Sequence, residues 1–250
     1  MTVGLPYLDF TLAFLFQHKP LVFVAFFGEY SLMRIGVCLA MDIFVVGAVI
    51  VQKMCIRDSG KGGSHLEAEQ YKKNCLGSDM IGIEYNDYLP WIVQNQIQSV
   101  YDKVCERYDC IYLIANSIGA YFAMHTLQDC DIAKALFISP VLDMERLILD
   151  MMSWANVSEK DLREKGEIPT DFGETLSWKY LCFVRENPII WNVPTEILYA
   201  ENDNLISRQT VNEFISNHNT HLTVMENGEH WFHTDEQLAF LDSWMKKAIG

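Results

Sequence analysis

Positive charge is what this chain has least of. Only 19 Lys and Arg stand against 33 Asp and Glu, for a net charge of −14. Nucleic-acid backbones and anionic lipid surfaces recruit basic side chains, so neither is expected as a partner. The seven cysteines (38, 55, 75, 105, 110, 130 and 182) are odd in number and follow no C-x-x-C spacing. That excludes a disulfide framework and points to free thiols in a reducing cytoplasm. No His/Cys/Asp cluster has the spacing of metal ligands, so neither a metal nor a cofactor is expected. A basic n-region and a small-residue cleavage site are missing, which argues against a secretory signal. The apolar run Ile35–Val51 is broken by Asp42, an expensive group at a bilayer centre. A membrane partner is therefore expected only if residues 1–52 are native, with that run as a single anchor helix. No internal repeat or low-complexity tract is present.

What is present divides unevenly. Residues 1–59 balance Lys19, Arg34, Lys53 and Arg57 against Asp9, Glu29, Asp42 and Asp58, so residues 60–250 carry the whole charge imbalance. Residues 1–52 are also far more apolar, with Leu21–Phe27 and Ile35–Val51 as near-continuous runs. The change falls at Met54-Cys55-Ile56-Arg57-Asp58-Ser59, which looks like the translation of a transposon end used to prepare sequencing libraries. Residues 1–59 accordingly read as a non-native, chimeric segment, and Lys53–Asp58 as a charged, non-strand-like string. At 250 residues and 50% apolar, the chain can bury one sizeable core, assigned to residues 60–250.

From residue 60 strands alternate with amphipathic helices. Ser64 and Glu67 have capping-box spacing and start a helix running to about Asn74. Met80–Tyr85 reads as a strand. Pro90 then opens a helix with Val93, Ile97, Val100 and Val104 on one face. Residues 111–115, 135–140, 196–200 and 221–225 read as further buried strands, which predicts a parallel, doubly wound sheet. The alternation stops over 142–192, where Met144–Trp154 and Thr175–Glu186 read as helices of a cap. Its aromatics, with Trp231, make Trp154, Trp178 and Trp231 candidate pocket residues. Thr234 and Gln237 form a second capping box before a helix over Asp235–Lys247.

Chemistry concentrates after three of these strands. Ile111–Ala115 runs into Ala115-Asn116-Ser117-Ile118-Gly119 and then an apolar helical stretch. Such a strand–elbow–helix projects a serine from the sheet's C-terminal edge with the helix's first amides aimed at it. Asp203 follows the next-to-last strand and His230 the last, so a serine, a carboxylate and an imidazole share that edge. His233 competes with His230 for the base, and Asp143 and Glu201 compete with Asp203 for the acid. Gly60-Lys61-Gly62-Gly63 lacks the Gly-Lys-Ser/Thr of a nucleotide loop and suits backbone approach to a reacting carbonyl.

With Gly60-Lys61-Gly62-Gly63, the Ser117 elbow, Val193-Pro194 through Asp203, and Gly228-Glu229-His230-Trp231-Phe232 in order, residues 60–250 resemble the α/β-hydrolase family. The likeness is to its small bacterial serine hydrolases of the serine-aminopeptidase-like branch. The resemblance implies an α/β fold of the α/β-hydrolase kind, a mostly parallel doubly wound sheet with a helical cap insertion at about 142–192. It implies cleavage of a small carboxylic ester, thioester or amide, a small-molecule acyl substrate, through an acyl-enzyme. It also implies Ser117 as nucleophile, Asp203 as orienting acid and His230 as base, with the backbone amides of Lys61 and Ile118 as oxyanion hole. A non-catalytic ligand- or partner-binding protein of the same fold is the alternative.

Overall fold

The computed structural model describes residues 52–58, 67–75, 77–85 and 87–249, together with the backbone pairs 23–24 and 48–49. The chain forms two compact units, Met1–Val51 and Gln52–Gly250. The first contributes one antiparallel pairing, β1 (Phe23–Val24) with β2 (Ala48–Val49). The expected anchor run Ile35–Val51 lies largely outside the described residues, as does the helix start at Ser64. Among the described residues no helix is long and apolar enough to cross a membrane.

The second unit is a six-stranded sheet in which every neighbouring pair is parallel. Its strands are β3 (Lys53–Asp58), β4 (Ser78–Gly82), β5 (Cys110–Asn116), β6 (Lys134–Ile138), β9 (Thr195–Ala200) and β10 (Thr220–Met225). They lie in the order β10-β9-β6-β5-β3-β4. Two corrections to the sequence reading follow. Lys53–Asp58 is an interior strand, and the strand expected at Met80–Tyr85 runs instead over Ser78–Gly82, paired with β3. The compact unit thus starts ahead of the join expected at Ser59.

Burial explains why β3 sits where it does. Met54, Cys55 and Ile56 are buried and alternate between the two faces of the sheet, as a strand covered on both sides requires. The charged end of the strand is absorbed locally. Arg57 stacks on Tyr71 with its guanidinium 4.4 Å from the ring centroid, and its Nη1 donates to the Asp58 carbonyl. Asp58 accepts the Tyr85 hydroxyl at 2.6 Å. Burial, then the adjacent Asp58, pushes the Tyr85 hydroxyl far above its ordinary pKa, so it stays a donor.

Helices cover both faces. On one, α2 (Pro90–Cys105) and α3 (Ile118–Leu127) pack Val93, Ile97, Tyr101 and Phe122 against Leu113 and Phe137. Tyr101 joins Val93, Ile97 and Val104 on the buried face of α2, while Val100 is half-buried beside it. On the other, α8 (Asp235–Ile249) sets Leu241, Trp244 and Met245 on Ile114, Leu136 and Leu198. Here Thr234 and Gln237 form the expected cap, Thr234 Oγ1 accepting the Gln237 amide at 3.2 Å. Outside the segment between β6 and β9, the other described helices are α1 (Glu67–Lys72) and α7 (Arg208–Asn217).

Between β6 and β9 the chain builds α4 (Met144–Trp154), α5 (Glu159–Lys165), an antiparallel hairpin of β7 (Glu167–Pro169) and β8 (Thr175–Ser177), and α6 (Trp178–Glu186). The insertion is therefore not wholly helical. Thr175–Ser177, expected as the first turn of a helix, is strand, and Ser177 instead caps α6 by accepting the Tyr180 amide. Arg185 ties the helices together: its Nε donates to Glu145 of α4 at 2.6 Å, and its two terminal nitrogens donate to Glu159 of α5 at 2.9 and 2.7 Å.

Candidate active site

The elbow forms as the sequence suggests. Ser117 has φ 48° and ψ −125°, a left-handed conformation that costs a non-glycine residue about 1–3 kcal/mol and persists only when its surroundings enforce it. Three backbone hydrogen bonds do so: the Ser117 amide donates to the Ile138 carbonyl at 3.0 Å, and its carbonyl accepts from Ala120 at 3.1 Å and Val141 at 2.9 Å. The helix α3 begins at the next residue, so the Ile118 amide belongs to the unpaired first turn.

Asp203 and His230 arrive from loops after β9 and β10. Asp203 Oδ1 accepts the amides of Leu205 and Ile206, both at 2.9 Å, which leaves Oδ2 facing the imidazole. His230 Nδ1 lies 2.7 Å from that oxygen and Nε2 lies 2.9 Å from Ser117 Oγ. The imidazole and carboxylate side chains are 1% and 0% exposed, so their hydrogen bond is shielded from solvent. A buried carboxylate oriented this way selects the tautomer with hydrogen on Nδ1, which leaves Nε2 to accept from Ser117 Oγ.

The competitors occupy other roles. Glu201 braces the two loops: its Oε2 accepts the Asn227 amide at 2.9 Å. The Asn202 amide donates to the Gly228 carbonyl at 2.9 Å, joining the same loops. A Cβ on Gly228 would meet the Met225 carbonyl and Cβ at 3.1 Å, tighter than ordinary contact, so glycine spares this turn a local shift. Asp143 caps α4 by accepting the Arg146 amide at 2.9 Å. His233 is turned away, with Nδ1 2.6 Å from the Trp231 carbonyl and 3.7 Å from Glu229. Lys61 and the whole Gly60–Gly63 loop lie outside the described residues.

Ser117 opens into a cavity of about 900 Å³, within the range of small-molecule sites. Ile118, Met144, Ile148 and Met151 line it, together with Trp154 and Trp231. Trp178 does not. It sits at the base of the hairpin, its amide donating to Gly166, with the Arg163 guanidinium 6.0 Å from its ring centroid. Sequence reasoning missed Tyr88 and Phe172, which also line the cavity. For Tyr88 a signal existed, since it follows a parallel strand at the sheet's C-terminal edge. Among the described residues no group of His, Cys, Asp and Glu could hold a metal ion.

Comparison with known proteins is informative only through structure. No protein-family model matches the sequence, and no curated protein does. Among solved structures the chain is similar to Est1E from Butyrivibrio proteoclasticus, at 16% identity and a TM-score of 0.63, over 80% of this chain and 87% of that one. It is similar to α/β hydrolase domain-containing protein 10 from mouse, at 14% identity and a TM-score of 0.64, over 78% and 89% of the two chains. It is also similar to the peroxisomal α/β-hydrolase Lpx1 from Saccharomyces cerevisiae, at 12% identity and a TM-score of 0.54, over 80% and 76%. The chain has the α/β-hydrolase fold.

Proposed function

We propose that this protein is a serine hydrolase that cleaves a small carboxylic ester, thioester or amide through an acyl-enzyme. The observation that carries the reading is the hydrogen-bonded line Ser117–His230–Asp203 at the wall of an apolar cavity. His230 Nε2 takes the Ser117 proton as Oγ attacks the acyl carbon, and Asp203 stabilises the resulting imidazolium. The protonated imidazole then delivers that proton to the leaving oxygen, sulfur or nitrogen. A water activated by the same imidazole releases the acid and restores Ser117. The Ile118 amide, at the positive end of α3, donates to the oxyanion. The Lys61 amide serves as the second donor in this proposal. Est1E, one of the structures this fold resembles, is known with ferulic acid bound, a carboxylic acid of the kind an esterase releases.

The test is labelling with a fluorophosphonate, followed by turnover of an activated short-chain ester. The wild-type chain should label and show a burst of leaving group. Ser117→Ala should abolish both, with a loss in rate on the order of 10⁴–10⁶. Labelling that persists in Ser117→Ala would remove Ser117 from the role.

A further inference from the structure

The cavity wall carries a charge signature that the triad does not need. The charged residues lining it are Asp87, Glu167 and Glu174, and among the described residues no lysine or arginine lines it. They come from separate places: Asp87 from the loop between β4 and α2, Glu167 from the first position of β7, and Glu174 from the turn of the hairpin. Neither Asp87 nor Glu167 makes an ion pair with a described lysine or arginine. Three aromatic rings of the same cavity are left open to solvent, Trp154 at 52%, Phe172 at 45% and Trp231 at 55% exposure. Trp154 and Phe172 meet edge to face at 6.1 Å, and Trp231 stands 5.2 Å from the His230 ring.

These observations are independent and agree on one ligand chemistry. Large aromatic faces kept exposed at a cavity wall are apolar surface withheld from the core, which marks a binding surface. Indole and phenyl faces attract organic cations through their quadrupoles, with greatest effect where water is partly excluded. Carboxylates beside them favour the same sign of charge and oppose anions. The −14 net charge of the whole chain raises the local concentration of cations around the opening.

We infer that the Ser117 cavity takes an ester or thioester carrying an ammonium group and discriminates against anionic substrates. This rests on the hydrolase reading above and adds the charge class of its substrate. The ammonium lies against Trp154, Phe172 or Trp231 with the carboxylates as a diffuse counter-charge, while the acyl carbon reaches Ser117 Oγ. No bond to the cation forms or breaks, so the chemical step is the one already described.

The experiment compares pairs that differ in charge and not in shape. One pair is butyrylthiocholine and its neutral isostere, in which tert-butyl replaces trimethylammonium. A second pair places the same two groups on the acyl chain of an activated ester. A cation preference in kcat/KM of about 3- to 30-fold is expected in at least one pair, the range that cation–π contacts span. It should shrink as salt is added, and shrink again in Glu167→Gln and Trp154→Leu, read in each variant as the ratio between the two partners of a pair. Equal or better use of the neutral partner in both pairs overturns the inference and leaves the hydrolase reading intact. If Ser117 labels but none of the four esters turns over, protection from labelling by choline against its tert-butyl analogue decides in the same way. Failure of Ser117 to label at all removes the hydrolase reading, and this inference with it.

Discussion

Asp58 stands opposite Ala115 across the β3–β5 ladder, so the end of β3 lies level with the run-in to Ser117. A strand from the stretch that reads as a join thus supports the elbow strand from Cys110 to Ala115. It also holds β4, which has no other strand neighbour among the described residues.

A chain starting at Gln52 should therefore keep cooperative melting and fluorophosphonate labelling, and one starting at Gly60 should lose both. Ile56→Ala, at a fully buried position of β3, should cost about 2–5 kcal/mol in urea unfolding. A Gly60 start that melts and labels like the full chain would exclude β3 from the fold.

The two aspartates should separate cleanly. Asp143→Ala removes a helix cap and should lower stability by about 1 kcal/mol with turnover unchanged. Asp203→Asn should leave the fold in place and lower kcat by about 10⁴, because the wrong imidazole tautomer is held against Ser117. Equal kinetic losses in the two variants would refute the division of roles.

Histidine substitutions give a second contrast. His230→Ala should abolish the burst on an activated ester, while His233→Ala, which alters an exposed ring bonded to the Trp231 carbonyl, should retain it. Stopped-flow release of the leaving group reads both, and the reverse pattern would move the base to His233.

His125 predicts the response to acid. Its ring lies face to face with Phe183 of α6 at 5.1 Å, and both ring nitrogens are buried without a hydrogen-bond partner. Burial lowers its pKa below the ordinary imidazole value, because the charged form loses its hydration. The unfolded chain then binds the proton more readily, so the native state holds its full stability above about pH 6.5 and loses it as pH falls through the lowered native value. His125→Phe should flatten that part of the profile. Urea midpoints at about pH 7.5 and about pH 5.5 measure it, and an unchanged difference between them would acquit His125.

The elbow strand and the positions of Ser117, Asp203 and His230 after β5, β9 and β10 were legible because strand pattern and turn chemistry agree there. β3 was not. Arg57 and Asp58 give it the look of a solvated string, and tertiary partners such as Tyr71 and Tyr85 make their burial tolerable. The β7–β8 hairpin escaped for a different reason: strands of three residues are too short to show a period, and Thr175–Ser177 merges into the helical pattern that follows. Trp178 shows the limit for pocket residues, since an aromatic in a cap points to the cavity or away from it according to contacts that no local pattern encodes.

The Arg185 clamp bears on how the site exchanges its contents. One guanidinium grips α4 and α5 from α6, so the three helices are coupled and a widening of the cavity is most simply a swing of the insertion as a single body. The chain connects that body to the sheet at only two places, the Ser139–Asp143 stretch after β6 and the Asn187–Pro194 stretch before β9. Ser139 already sits at a positive φ of 41°. If the protein turns over an acyl substrate as proposed, rotation there, on the microsecond-to-millisecond scale of lid motions, would set the pace of product departure through these two connections.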